Sequence, residues 1–132
     1  MIWDTGATNS VISRAVIDAC GLAPTGMTRV HGVHGSAEAE TYLVNIALPN
    51  MVIFSAVRVT KGDIGGVDVL VGMDIISSGD FSVTNCDGIT KFSYRTPSIE
   101  HIDYAEQAGA IRAAKEPPPN RAARRRVKRD GG

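Results

Sequence analysis

Large apolar side chains recur at every second position along residues 42–48, and this pattern limits the possible folds more than any other feature. The apolar positions are Tyr42, Val44, Ile46 and Leu48. Because successive side chains of a strand point to opposite faces, the pattern predicts a β-strand over residues 40–48 with one face in a core. Uninterrupted apolar runs are only a few residues long, as in residues 51–54, whereas a membrane helix needs roughly 20. We therefore expect short strands and no membrane-spanning helix.

Glycines and other turn-forming residues divide the rest of the chain into similar short segments. Further strands are predicted at residues 28–32, 52–59, 67–71, 81–84 and 91–94. Asp87-Gly88 is a strong hairpin signal between the last two strands. A helix is predicted over residues 14–20, with Ser13 as its N-cap and Gly21 at its end, and a second short helix over residues 73–78. The fold class is therefore all-β, mainly β with one or two short helices.

The balanced net charge hides two parts of opposite charge. Residues 1–111 carry six more acidic than basic side chains, and residues 112–132 carry six more basic than acidic ones. Three consecutive prolines at residues 117–119 favour an extended segment. At 132 residues the chain suits one domain with a tail. We predict a folded domain over residues 1–98, a possible amphipathic helix or linker over 99–116 with Ile99, Ile102 and Ile111 near one face, and a disordered basic tail over 117–132.

The basic tail is a candidate for weak, nonspecific nucleic-acid binding. Its arginine-rich run at residues 121–129 could neutralise phosphates, although no aromatic residue is interleaved to stack on bases. A solvated tail, or one that folds back onto the acidic body, fits the same composition.

The segment Asp4-Thr5-Gly6 is the candidate for a catalytic site. A carboxylate on a tight turn before glycine lets backbone N–H groups approach it closely. About 65 residues downstream, the segment Val69-Leu70-Val71-Gly72-Met73-Asp74-Ile75-Ile76 reads as an apolar strand that ends in glycine and turns into a short helix. Such an element is expected to pack behind the acid turn. Asp74 itself reads as a helix cap or a surface charge, and Trp3 as a buried anchor.

With both motifs in order and a glycine-tipped hairpin between them, residues 2–98 resemble the retropepsin-like aspartic proteases. The likeness is greatest to small bacterial and mobile-element members. It implies a closed-barrel acid-protease fold with a single lobe, and hydrolysis of peptide bonds by an aspartic endopeptidase. No metal or organic cofactor is implied.

The resemblance also implies a role for each matching position. Asp4 would be the catalytic carboxylate, Thr5 would brace two active-site turns against each other, and Gly6 would permit the turn. The hairpin over residues 31–39 would be the flap that closes over the substrate. Substrate-binding positions would be Ala7, Val33, His34, Gly35 and Ser36. The residues supporting the active-site loop would be Leu70, Val71 and Gly72.

A single Asp-Thr-Gly motif predicts a homodimer. Amide hydrolysis by two carboxylates needs one ionised group to take a proton from water and one protonated group to donate to the carbonyl oxygen. The other aspartates considered lack a following Thr-Gly or Ser-Gly; they are Asp63, Asp68, Asp74, Asp80, Asp87 and Asp103. The second acid is therefore expected from Asp4 of another subunit, with a peptide or protein as substrate.

Alternatives stay open because only three residues precede Asp4, where family members carry a strand or hairpin. Either the sequence starts late or residues 92–111 complete the fold. An inactive retropepsin-like module for dimerisation or peptide binding is one alternative, and a nucleic-acid-associated accessory protein is another. His31 and His34 lack a third ligand, so no metal site is predicted. Without a basic leader before an apolar stretch, a cytoplasmic location is the default expectation.

Overall fold

The computed structural model describes residues 1–32 and 34–115. A compact unit, Met1–Glu100, contains the strands and the first two helices, and a second unit begins at His101. The strands are β1 (Ile2–Trp3), β2 (Val11–Ile12), β3 (Gly26–Gly32), β4 (Gly35–Ala47), β5 (Ile53–Lys61), β6 (Val69–Val71), β7 (Asp80–Cys86) and β8 (Ile89–Arg95). The helices are α1 (Arg14–Cys20), α2 (Met73–Ile76) and α3 (Tyr104–Lys115). The predicted class, mainly β with short helices, is confirmed.

Six strands form one mixed sheet in the order β1-β6-β2-β5-β4-β3. The short strand β1 runs parallel to β6, with Ile2 opposite Leu70 and Trp3 opposite Val71. On the other side of β6, β2 pairs antiparallel to it and parallel to β5. The two motifs found in the sequence are therefore brought side by side by β1 and β6.

The alternation along β4 places its large apolar residues in the core, as predicted. Tyr42 and Ile46 are buried, whereas Leu43 is 51% exposed. The rest of the core comes from the sheet and both short helices, and comprises Ile12, Ile17, Leu48, Val59, Val71, Ile75 and Ile76.

Helix α1 has the predicted bounds because both of its ends carry capping residues. The Ser13 side chain accepts a hydrogen bond from the backbone N–H of Val16, and Gly21 adopts the left-handed conformation at φ 60°. This helix follows β2 directly and contributes Ile17 to the core.

The hairpin of β3 and β4 extends further than predicted. Pairing continues from Gly26 opposite Thr41 to Gly32 opposite Gly35, so β4 begins five residues before the predicted start at residue 40. The added segment is exposed and polar, so it carries no alternation that would mark it as a strand. Val33, at the hairpin tip, lies outside the described residues.

A second hairpin, β7 and β8, packs on the residue that precedes Asp4. Its turn is the predicted one, with positive φ at Asp87 (51°) and Gly88 (75°), as a two-residue hairpin loop requires. The Trp3 ring is half-buried and lies 5.0 Å from the Phe92 ring and 4.9 Å from the Tyr94 ring, measured between centroids. Trp3 therefore serves as the anchor that the sequence suggested.

Helix α3, in the second unit, begins later than the expected segment 99–116. Asp103 sets its start, because its carboxylate accepts hydrogen bonds from the backbone N–H groups of Ala105 and Glu106. Ile99 and Ile102 therefore precede the helix and do not share a helical face with Ile111, so that part of the prediction is wrong. In the described part of the chain, no helix is long and apolar enough to cross a membrane. The basic tail, residues 117–132, lies outside the described residues.

Candidate active site

Asp4 lies immediately after β1, where the strand leaves the sheet. Its backbone N–H donates to the carbonyl oxygen of Val71 at 2.9 Å, which extends the β1–β6 pairing by one bond. Val71 is fully buried. The start of the acid turn is therefore fixed to the hydrophobic core, and the half-buried Asp4 side chain leaves it from a defined position.

The turn itself orients the carboxylate. The backbone N–H of Gly6 donates to Oδ1 of Asp4 at 2.8 Å, and the N–H of Ala7 donates to the Asp4 carbonyl oxygen at 3.3 Å. A Cβ atom at Gly6 would lie 3.1 Å from Oδ1 of Asp4, so this position favours glycine. One carboxylate oxygen is held by a backbone donor, and the other forms no hydrogen bond within residues 1–32 and 34–115.

The loop after Asp4 packs directly on Gly72, at the junction of β6 and α2. A Cβ atom at Gly72 would lie 2.7 Å from the carbonyl carbon of Asn9 and 3.0 Å from the carbonyl oxygen of Ala7. Real Cβ atoms do not approach backbone this closely. The backbone N–H of Met73 also donates to the Ala7 carbonyl oxygen at 2.8 Å. The apolar strand with its glycine therefore supports the acid turn by contact between backbones.

The buried Ser10 and the exposed Asp74 form a link that sequence reasoning missed. The Asp74 carboxylate accepts the Ser10 backbone N–H at 2.9 Å and the Ser10 hydroxyl at 2.8 Å. The same hydroxyl accepts the N–H of Gly72 at 3.1 Å, and Ser10 is completely buried. Asp74 is exposed in the first turn of α2, as expected for a cap or a surface charge. Its link to Ser10 was not predicted, because the two residues lie 64 positions apart and form no local motif. The sequence signal that could have indicated the link is Val71-Gly72-Met73-Asp74, an apolar residue followed by glycine and, two positions later, an aspartate.

The predicted substrate-binding residues occupy two different places. Ala7 lines a cleft of about 330 Å³ between the active-site loop, residues 6–9, and strand β3. The other wall is formed by residues 28–31 of β3, which were not among the predicted site residues. His34, Gly35 and Ser36 lie at the exposed hairpin tip and do not line this cleft.

Thr5 is exposed beside Asp4 and makes no side-chain hydrogen bond among the residues that the structure describes. Leu70 is half-buried in β6 opposite Ile2. Within the described ranges, no group of three histidines, cysteines or acids is arranged to hold a metal ion. The site therefore consists of one oriented carboxylate with a hydroxyl next to it.

Asp80 fastens the base of the β7–β8 hairpin on which Trp3 packs. Its carboxylate accepts the Ser98 hydroxyl, the Ile99 backbone N–H at 3.0 Å and the Arg95 Nε at 2.6 Å. These donors, with Ser98 contributing most, hold the pKa of the Asp80 carboxyl far below its usual range. Asp80 therefore stays ionised to lower pH than an ordinary aspartate.

The acid turn, the glycine that supports it and the hairpin beside the cleft match the arrangement that the resemblance to retropepsin-like proteases implies. A family model described as "gag-polyprotein putative aspartyl protease" matches residues 1–78, which is more than half of the chain. The chain belongs to this family of retropepsin-like aspartic proteases.

Among solved structures, a retropepsin-like aspartic protease from Rickettsia conorii is similar, with a TM-score of 0.44 and 18% sequence identity. The match covers 62% of this chain and 64% of that chain. This chain therefore spans less than two thirds of the length of that protein. None of the curated proteins matches the chain.

Proposed function

We propose that the protein is an aspartic endopeptidase that hydrolyses peptide bonds with a water activated by two Asp4 carboxylates. The observation that carries this proposal is the orientation of Asp4. One oxygen is held by the Gly6 N–H, while the turn is tied through Val71 to the core. A carboxylate held this way keeps its second oxygen available for a proton transfer.

The chemistry needs two such groups in different protonation states. One carboxylate, ionised, takes a proton from the attacking water, and the other, protonated, donates to the carbonyl oxygen of the substrate. Like charges roughly 3 Å apart do not both ionise, so the pair shares one proton, as is established for aspartic proteases as a class. The two groups then titrate as one unit.

The partner carboxylate comes from a second copy of the chain. Asp4 is the only acid in the sequence that is followed by Thr-Gly or Ser-Gly. A two-fold homodimer places the two Asp4 residues at its axis, because each surface then meets its own copy. Thr5, exposed beside Asp4, is suited to brace one acid turn against the other across that axis.

We also propose the finer features that the family resemblance implies. The β3–β4 hairpin acts as the flap over the cleft, with Val33, His34, Gly35 and Ser36 at its tip contacting substrate. Each subunit is a single lobe of the closed-barrel acid-protease fold. The working domain comprises residues 1–98, and residues 99–116 link it to the tail at 117–132. Cytoplasmic location stays a prediction.

A cleavage assay at mildly acidic pH tests the proposal. Asp4→Asn is expected to abolish cleavage, because an amide neither accepts nor donates the required proton, and a pepstatin-type inhibitor should block the wild type. Asp63→Asn is the matched control, since Asp63 sits in an equivalent turn with its Oδ1 accepting the Gly65 N–H at 3.1 Å. Asp63 is outside the two motifs, so its variant should retain wild-type activity.

Mixing of subunits tests the shared site directly. When equal amounts of wild type and Asp4→Asn are refolded together, only about one quarter of the dimers carry two intact acids. Activity per total protein should therefore fall to about one quarter of the wild-type value, whereas a catalytic monomer would retain about one half.

Sedimentation should show a dimer. An inactive dimer that still binds peptides would favour the peptide-binding module instead, and salt-sensitive nucleic-acid binding without cleavage would favour the accessory protein.

A further inference from the structure

The wall of the cleft formed by β3 carries a positive charge. Arg29 and His31 lie on this wall, facing the loop that begins at Asp4. The remaining lining residues have no ionisable side chain, and they include Thr8, Asn9 and Val11 on the loop and β2 side. No carboxylate lines the cleft among the described residues. A partly polar pocket with an arginine on one wall and no lining carboxylate is suited to an anionic side chain.

Two acidic groups near the cleft have to be considered. Glu38 lies directly opposite Arg29 in the β3–β4 ladder, and Asp4 begins the loop that forms the other wall. In the part of the chain that the structure describes, neither group makes an ion pair with Arg29 within 4.0 Å. The guanidinium therefore keeps its donors available for a bidentate contact with a carboxylate.

His31 adds an oriented ring to the same wall. Its Nδ1 lies 2.6 Å from the Ser36 hydroxyl, which stands opposite it in the ladder. This contact occupies one ring nitrogen and leaves Nε2 as the polar atom that the ring can offer to a ligand. The cleft wall thus presents a guanidinium and an imidazole two residues apart on one face of the strand.

We propose that this cleft selects substrates with an acidic side chain, aspartate or glutamate, and that Arg29 is the residue that determines this specificity. The inference rests on the proposed peptidase function, since it assigns a substrate class to the same site. In a two-fold dimer each subunit contributes one such cleft. Acidic residues are therefore favoured at symmetry-related positions on both sides of the cleaved bond.

Paired peptides that differ only by glutamate or glutamine test the inference, with the substitution made on either side of the cleaved bond. The wild type should cleave the glutamate peptide with a kcat/KM about tenfold higher, as expected for a charge-assisted hydrogen bond. Arg29→Gln should bring this ratio close to one. Arg29→Glu should reverse the preference, so that a lysine peptide becomes the better substrate.

Two control variants separate a local contact from a change in overall charge. Arg58→Glu makes the same charge change on β5, outside the cleft, and should keep the wild-type ratio. Glu38→Gln removes the acid opposite Arg29 and should raise the ratio. Thermal unfolding of each variant establishes that it is folded. Equal ratios in the wild type and Arg29→Gln would overturn the inference.

The two proposals fail in different ways. Cleavage without any preference for the acidic peptides leaves the peptidase function standing and overturns the specificity. If no peptide is cleaved, the peptidase function fails, and binding of the same peptides is then measured by fluorescence anisotropy. Tighter binding of the glutamate peptide, lost in Arg29→Gln, would support the cleft as an acidic-side-chain site, and equal binding would overturn it.

Discussion

The two walls of the cleft are built in opposite ways. On one side, the acid turn is tied to β6 and α2 by backbone contacts at Gly72 and by the completely buried Ser10. On the other side, every residue of β3 is exposed, and the strand is held by its antiparallel pairing with β4. The wall that follows Asp4 is anchored by several elements, whereas the β3 wall is held by one neighbouring strand.

Under the proposed peptidase function, the two walls have different requirements. A carboxylate that exchanges protons has to be positioned within a fraction of an ångström, so its loop is anchored from several directions. A wall that admits and releases an extended peptide gains from weaker attachment, because opening then costs little free energy. Matched substitutions on the two walls should therefore have very different effects.

The largest difference is expected for glycine to alanine. In Gly72→Ala the new methyl group would collide with the backbone of Asn9, so the loop has to move, at a cost of about 3 kcal/mol or more of unfolding free energy. Activity should be lost with it. Gly32→Ala in β3 meets nothing within 4 Å and should change stability by less than about 0.5 kcal/mol. Urea unfolding measures both values, and similar losses would contradict the contrast.

A smaller difference is expected for serine to alanine. Ser10→Ala leaves the buried Gly72 N–H without its acceptor and removes a donor from Asp74, which should cost about 2 kcal/mol. Ser36→Ala removes only the exposed contact with His31 and should cost less than about 0.5 kcal/mol. Thermal unfolding and kcat provide the readout. A Ser10→Ala protein with wild-type stability would show that the link to Asp74 does not anchor the loop.

The smallest effect, confined to acid solution, is expected at Asp80, at the base of the β7–β8 hairpin. Its pKa in the folded protein is depressed by Ser98, Ile99 and Arg95, whereas in the unfolded chain it is about 3.9. Its contribution to stability is therefore complete above about pH 4 and is lost as the pH falls toward the lower, folded-state pKa. Denaturant unfolding between pH 2 and 6 should show the wild type converging on Asp80→Asn at the acid end. If the stabilities of the wild type and Asp80→Asn differed by the same amount at every pH, this prediction would be wrong.

Local signals in the sequence predicted the local structure well. Ser13 and Gly21 fix both ends of α1, and Asp87-Gly88 fixes the β7–β8 turn, because each of these residues satisfies a backbone requirement within a few positions. The motif around Asp4 and the apolar strand ending in Gly72 predicted the family. These features depend only on neighbours along the chain or on a strong pattern.

The remaining features depend on contacts between distant segments. The link between Ser10 and Asp74 spans 64 positions, and nothing near either residue indicates the other. The first half of β4 is exposed and polar, so only its pairing with β3 makes it a strand. Similarly, Arg29 and His31 lie on the cleft because the hairpin folds over the loop, which no spacing in the sequence reveals.

The position of the single tryptophan has a practical consequence. Trp3 is the only indole in the chain, and it lies between Asp4 and the aromatic rings of the second hairpin. Its emission is therefore an intrinsic optical probe of the environment one residue from the acid. Inhibitor titration or subunit association could be followed at this position in the unlabelled protein, without a reporter dye near the reacting groups.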